Sequence, residues 1–322
     1  MDRGRFAPTP SGSMHLGNAM TALLAWLQMR RLGGAMVLRI EDLDLARSRP
    51  FWRDQILTDL RWLGLDWDEG PDCGGPFAPY LQSERQERYR HALQTLHQAG
   101  LLYPCYCSRK DLQSIGRAPH GLIAEGPAYP GTCADLTDQE QRVRQRLKSP
   151  ALRFRLPDTD GEVDDALCGA VQYPARHGGD FVVQRADGVI SYQLAVVVDD
   201  AAMDITHVLR GRDLLDSTWR QVHLYKALGL RSPAFAHSPL VTSTDGARLS
   251  KSDGSRSLSA LRQSGVQSET IIGALAAACG LIDRPEATSP VDLIHSFSLE
   301  KIKQNNAIVT SIPSDGGHPL PL

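Results

Sequence analysis

Apolar positions in this chain follow two different rhythms. Met20, Leu23, Leu24 and Leu27 recur at helical spacing, and Gly33-Gly34 closes that stretch with residues that tolerate a left-handed cap. Residues 5–7 read as a short strand, Pro8-Thr9-Pro10-Ser11-Gly12 as a turn, and Ala35 to Ile40 as a buried strand. Strand, loop, helix and strand in this order open a doubly wound α/β domain. Residues 51–63 and 83–99 predict helices, Val189 to Val198 a central strand, Ile205 to Leu209 another, and Leu214 to Leu228 a helix ended by Gly229.

Between these halves, residues 101–176 lose the periodicity and gain Gly, Pro and Cys, the texture of an insertion. The reading is therefore an α/β fold: residues 1–100 the first half of a Rossmann-like domain, 101–176 inserted, 177–238 its second half. Residues 239–300 begin with a polar, serine-rich loop, Thr242 to Ser257, and carry a helix over Ser268 to Cys279. Residues 301–322 read as a disordered tail.

Composition changes this picture little. Hydrophobic residues make up 42% and charged residues 22%, enough for a sizeable core and against bulk disorder. A net charge of -2 leaves any RNA contact to a local basic face. Arg142, Arg144, Arg146 and Lys148 form one candidate, which by itself also reads as a solvated helix face. The amino terminus has no apolar segment of a signal peptide, and no apolar run reaches membrane-spanning length. The expectation is a cytoplasmic monomer with no membrane partner. Its six cysteines are then reduced, and clustered ones suggest metal rather than disulfides.

Two elements carry candidate phosphate chemistry. His15-Leu16-Gly17-Asn18 stands at a helix start, where free N–H groups and the dipole favour a polyphosphate. His15 can donate to a phosphate oxygen, and Gly17 lets a flat nucleotide approach the backbone. Arg248-Leu249-Ser250-Lys251-Ser252 places a lysine among small hydroxyl residues, suited to folding over a triphosphate. Either element alone is unremarkable; the ordered pair in an α/β chain is informative.

Here a family resemblance emerges. Arg5 to Asn18 resembles the opening signature of the class I glutamyl- and glutaminyl-tRNA synthetases. Arg39-Ile40-Glu41-Asp42-Leu43-Asp44 resembles their next block, and Val197-Val198-Asp199-Asp200 with Ile205 to Asp213 a third. Arg248 to Ser252 resembles their flexible ATP loop. Three positions depart from the pattern: Asn18 stands for a histidine, Leu249 for methionine and Arg248 for lysine. The resemblance implies an ATP-dependent ligase that activates L-glutamate and passes it to RNA. In it His15 and Lys251 are catalytic, and His15, Gly17, Asn18 and Lys251 meet ATP, which brings Mg²⁺. Arg5, Phe6, Ala7, Pro8, Thr9, Glu41, Tyr192 and Arg210 bind glutamate. Arginine forks suit its carboxylates and Glu41 its ammonium. Two arginines disfavour glutamine, because a buried guanidinium facing a neutral amide lacks compensating charge.

Cys105, Cys107 and Cys133 supply three thiolates where structural zinc takes four ligands, and His120 is the generic fourth. A short synthetase-like family that modifies queuosine in tRNA(Asp) shows a similar C-x-C, Y-x-x-x-C arrangement, which implies Tyr129 instead. A closed site of Cys105, Cys107, Tyr129 and Cys133 would hold one structural Zn²⁺. The 69 or so residues after the ATP loop are too few for a separate anticodon-reading domain of usual size, about 100 residues. Beside that limit, the resemblance to the short family implies queuosine-containing tRNA(Asp) as acceptor, rather than the 3′ end charged by an ordinary glutamyl-tRNA synthetase. A non-catalytic RNA-binding relative is disfavoured by the presence of His15, Lys251 and Arg5.

Overall fold

A computed structural model describes residues 1–108, 110–112, 129–242 and 257–309, and the backbone of 311–312 and 320–321. His120, Arg248 and Lys251 lie outside the described residues.

In chain order come β1 (Arg3–Phe6), α1 (Leu16–Leu32), β2 (Ala35–Leu38), α2 (Pro50–Trp62) and α3 (Gln86–Gln98). Then follow β3 (Leu102–Cys105), α4 (Asp138–Leu147), β4 (Ala151–Phe154), β5 (Gly161–Asp165), β6 (Gly169–Tyr173) and β7 (Phe181–Gln184). The second half has α5 (Tyr192–Ala202), β8 (His207–Gly211), α6 (Leu215–Ala227), β9 (Ala234–Ser238) and β10 (Val241–Thr242). Next are α7 (Leu258–Gln263), α8 (Ser268–Cys279), α9 (Pro290–Leu293) and β11 (Ala307–Ile308).

The main sheet runs β2-β1-β8-β9-β5-β6, parallel except for β6. Successive residues of β2 feed opposite cores: Met36 and Leu38 face α1 and α8, while Val37 faces α3, α5 and α6. Apolar nearly all round, α1 is buried on most sides, and Gly33 caps it at φ 62°. From β1 the chain steps to β2 on one side, and it returns on the other side at β8. The crevice beyond the carboxyl ends of β1 and β8 is thus the topological switch point, where open α/β sheets bind ligands.

Three expectations are corrected. Val189 to Val198 is not a central strand; from Tyr192 it is helix, buried over Gln193 to Asp200. A short apolar run looks the same in a buried strand and a buried helix, and tertiary packing overrides the β-branched preference of Val196-Val197-Val198. The tail does not begin at 301: Ile302, Ala307 and Val309 are buried in the core, β11 pairs in parallel with β10, and Ser311–Ile312 pairs with Leu320–Pro321. Alternation at Ala307 and Val309 was the strand signal. Finally, residues 101–176 are not one body. β3 and β4 form an antiparallel sheet with β7, whereas the hairpin β5–β6 extends the main sheet. Among the described residues no helix is long and apolar enough to cross a membrane.

Candidate active site

A cavity of about 440 Å³ opens at the switch point. Arg5, Phe6, Ala7, Pro8, Thr9, His15, Gly17, Asn18, Glu41, Tyr192 and Arg210 all line it, so every described residue expected at the substrates is brought to one space. The backbone explains the convergence. Past the end of β1, Arg39 N donates to Phe6 O at 3.1 Å and Glu41 N to Pro8 O at 3.0 Å, which prolongs the pairing and sets Glu41 beside the turn.

One wall is a lattice of buried charge. Arg5 Nε donates to Asp200 at 3.2 and 3.3 Å, and Arg39 Nη1 to Asp200 Oδ1 at 2.6 Å. Arg39 Nη2 reaches Glu41 Oε1 at 3.2 Å. Beneath lies Asp199, bound by Arg85 at 2.5 Å and by Gln82 and Tyr89 at 2.7 Å each. Arg5 is held by its Nε edge, and its two terminal nitrogens make no hydrogen bond among the described residues, leaving a fork at the cavity. Burial raises the Glu41 carboxyl above the usual range despite Arg39 and Arg5. A cation arriving in the cavity would favour its charged form.

The opposite wall holds Arg210 among neutral acceptors. Nε donates to His237 Nε2 at 2.9 Å, Nη1 to Gln221 Oε1 at 2.8 Å and Tyr192 Oη at 3.2 Å, and Nη2 to Thr218 Oγ1 at 2.8 Å and Leu214 O at 3.4 Å. Behind it, His237 Nδ1 lies 2.5 Å from Asp165 Oδ2 on β5.

At the nucleotide end, Asn18 Oδ1 accepts from His15 N at 3.3 Å and so caps α1. A Cβ on Gly17 would come within 3.2 Å of the His15 imidazole, so this glycine makes room for the ring itself. Val241, shortly before residues 243–256, lines the cavity, and Ser257, just after them, forms a backbone bridge with His15. Both anchors of the Lys251 segment therefore stand at this end.

Away from the cavity, Cys105, Cys107 and Cys133 bring their sulfurs within 4.8 Å of one another. Tyr129 Oη lies 3.5 Å from Cys105 Sγ and 3.7 Å from Cys107 Sγ, and Cys107 and Cys133 are 3.7 Å apart. A tetrahedron with Zn–S of about 2.3 Å and Zn–O of about 2.0 Å has edges of about 3.8 Å between sulfurs and 3.5 Å from sulfur to oxygen. The donor set fits zinc. Burial raises Cys107 to about 11 and, with the thiols, lifts the Tyr129 phenol. At Cys105 burial is outweighed by the Tyr129 hydroxyl and the Arg153 cation, and the thiol falls below its ordinary value. Arg153 also lies 3.7 Å over the Tyr129 ring.

Sequence reasoning assigned no role to Arg39, Asp199, Asp200, Arg153, Asp165 or His237. The first three stood in quoted blocks, and their burial in one network needs the fold to be seen. Asp165 and His237 had no local signal at all.

These features coincide with a known family. Residues 3–310 match the family model described as tRNA synthetases class I (E and Q), catalytic domain. The chain belongs to this family of class I tRNA synthetases and is a ligase of that type. Within it, the chain is 60% identical to the Glutamyl-Q tRNA(Asp) synthetase of Symbiobacterium thermophilum, over 93% of each chain. It is 48% identical to the enzyme of the same name from Nitratidesulfovibrio vulgaris, over 92% of each. The structure resembles a glutamate tRNA ligase from Elizabethkingia meningosepticum solved with its amino acid, with a TM-score of 0.83 and 31% identity, covering 96% of this chain and 67% of that one.

Proposed function

We propose that this protein activates L-glutamate with ATP and transfers it to the cyclopentene-diol of queuosine in the anticodon of tRNA(Asp). The observation that carries the first half is the meeting of Arg5, Arg210 and Glu41 around one cavity: two cations and one anion, the complement of glutamate's two carboxylates and ammonium. The arginines face the carboxylates, Glu41 holds the ammonium and Tyr192 donates its hydroxyl.

In the first step a glutamate α-carboxylate oxygen attacks the ATP α-phosphorus and pyrophosphate leaves. His15 and Lys251 stabilise the charge that builds on the phosphates; Gly17 and Asn18 shape the helix end that receives them. Mg²⁺ accompanies ATP as its counter-cation. In the second step a diol hydroxyl attacks the acyl carbon and AMP leaves. No protein nucleophile is needed, since orientation and preorganised charge suffice. A structural Zn²⁺ held by Cys105, Cys107, Tyr129 and Cys133 ties Tyr129 and Cys133 to the strand β3. We read the protein as a monomer of the cytoplasm, where its six cysteines are reduced.

The acceptor half rests on the relatives named Glutamyl-Q tRNA(Asp) synthetase, matched over nearly their whole length. The test offers tRNA(Asp) with and without queuosine, together with ATP and labelled glutamate, followed by nucleoside mass spectrometry. Glutamate should attach to the modified form alone and survive removal of the 3′-terminal adenosine. Efficient charging of unmodified tRNA(Glu) at its 3′ end would replace this reading with that of an ordinary glutamate ligase.

A further inference from the structure

We propose that Asp165 and His237 are positioning residues for Arg210, acting through the tautomer of the His237 ring; this rests on the reading of the cavity as a glutamate site. Arg210 and His237 are register partners on β8 and β9, and Asp165 ends β5, the next strand. Arg210 Nε–H can donate to His237 Nε2 only if that nitrogen is bare. Thr218 Oγ1, 3.1 Å away, is also directed at Nε2. The proton must then sit on Nδ1, where Asp165 Oδ2 receives it at 2.5 Å.

Asp165 is itself fixed. Its Oδ1 accepts backbone N–H groups from Leu167 at 3.0 Å, Cys168 at 2.8 Å and His237 at 3.1 Å. That leaves Oδ2 alone to face the ring. Asp165 and His237 are buried, and burial together with the Arg210 charge keeps the imidazole neutral. The arrangement locks one edge of the guanidinium without an ion pair on Arg210 among the described residues. No carboxylate among the described residues touches Arg210 directly, and a substrate carboxylate entering beside Tyr192 supplies that contact. The carboxylate on the inserted hairpin thus sets amino-acid affinity without touching the amino acid.

Asp165→Asn tests the relay nearly isosterically. Three N–H groups hold the amide oxygen at the Oδ1 position, so the NH₂ group faces Nδ1. The ring must then carry its proton on Nε2, donor against donor with Arg210. In glutamate-dependent ATP–pyrophosphate exchange, KM for glutamate should rise at least about tenfold with KM for ATP unchanged; loss of one well-placed hydrogen bond to a charged group has roughly this size. His237→Gln places an amide oxygen near the Nε2 position, and in that background Asp165→Asn should cost less than about threefold. Long-range ¹H–¹⁵N spectra of the free protein should show the proton on Nδ1 in the parent and on Nε2 in Asp165→Asn. A parent ring protonated on Nε2, or a glutamate KM within twofold of the parent in Asp165→Asn, overturns the proposal. An equal penalty for Asp165→Asn with and without His237→Gln also overturns it. If the parent gives no exchange with glutamate, the glutamate reading fails, and the spectra still decide the relay.

Discussion

Arg5 and Arg210 reach the same cavity from neighbouring parallel strands, yet the protein handles their charges in opposite ways. Arg5 lies against Asp200, which also holds Arg39, and the whole wall is a buried lattice of guanidinium and carboxylate. Arg210 is surrounded by an imidazole, an amide, two hydroxyls and a carbonyl. The first wall pairs its guanidinium groups with carboxylates before any ligand arrives, and only the two terminal nitrogens of Arg5 stay open at the cavity. In the second, dipoles solvate a cation without neutralising it, and that cation is available to a substrate anion.

The comparison predicts its largest effect in Asp200→Ala, which leaves two buried guanidinium groups short of a carboxylate. Breaking a buried ion pair typically costs about 3–5 kcal/mol. Thr218→Val, on the other wall, removes one acceptor of a charged donor and should cost about 1.5–3 kcal/mol. Urea unfolding midpoints measure both. Equal losses would erase the distinction between a wall held by ion pairs and one held by neutral acceptors.

Next in size is Lys251→Ala. Losing one preorganised charge contact commonly lowers turnover about 10²-fold, or about 2.7 kcal/mol of transition-state stabilisation. The kcat of pyrophosphate exchange should fall by that amount while unfolding free energy from urea titration stays within about 0.5 kcal/mol of the parent. Near-normal turnover would remove Lys251 from the chemistry.

A third buried arginine sharpens the contrast. Arg153 stacks on Tyr129 and helps to lower the Cys105 thiol, so its cation offsets the negative charge of a thiolate site. Outer partners of metal ligands commonly contribute about 10–100-fold to affinity, and Arg153→Met should weaken zinc by that factor. Cys107→Ser should abolish tight binding, as metal analysis and chelator competition would show. Protein purified without chelator and free of zinc would count against the site.

How much of this was legible in the chain depends on how local each signal is. Helical periodicity and Gly33 marked α1 correctly, because both act within a few residues. The run before Asp199 misled, because a buried helix and a buried strand share one composition and only packing separates them. The candidate substrate residues sat in recognisable blocks, and the fold gathers the described ones into one cavity. Their supports were invisible: Asp165 and His237 are 72 residues apart and meet only because β5 and β9 are neighbours.

The smallest effect concerns pH, and it reports directly on the neutral wall. Burial lowers the His237 pKa from 6.5 to about 4, with the Arg210 charge acting in the same direction. In the unfolded chain the ring titrates near 6.5. Between pH 4 and 6.5 the unfolded state therefore binds a proton that the native state refuses, and stability rises with pH. One proton gives a slope of at most about 1.4 kcal/mol per pH unit, flattening above about 6.5. Asp165, held near 2 despite burial by its bond to His237, adds a slope of the same sign at lower pH, between about 2 and 3.8. Other groups titrate in these windows too, so the diagnostic quantity is the difference between parent and variant. His237→Gln should lose part of the stability gained by the parent from pH 5 to pH 7, read from urea midpoints at the two values. An undiminished gain in that variant would mean that His237 is already protonated in the native state at pH 5. A charged ring would then present an N–H to the Nε–H of Arg210, and the wall would be a repulsive pair of cations rather than a cradle of neutral acceptors.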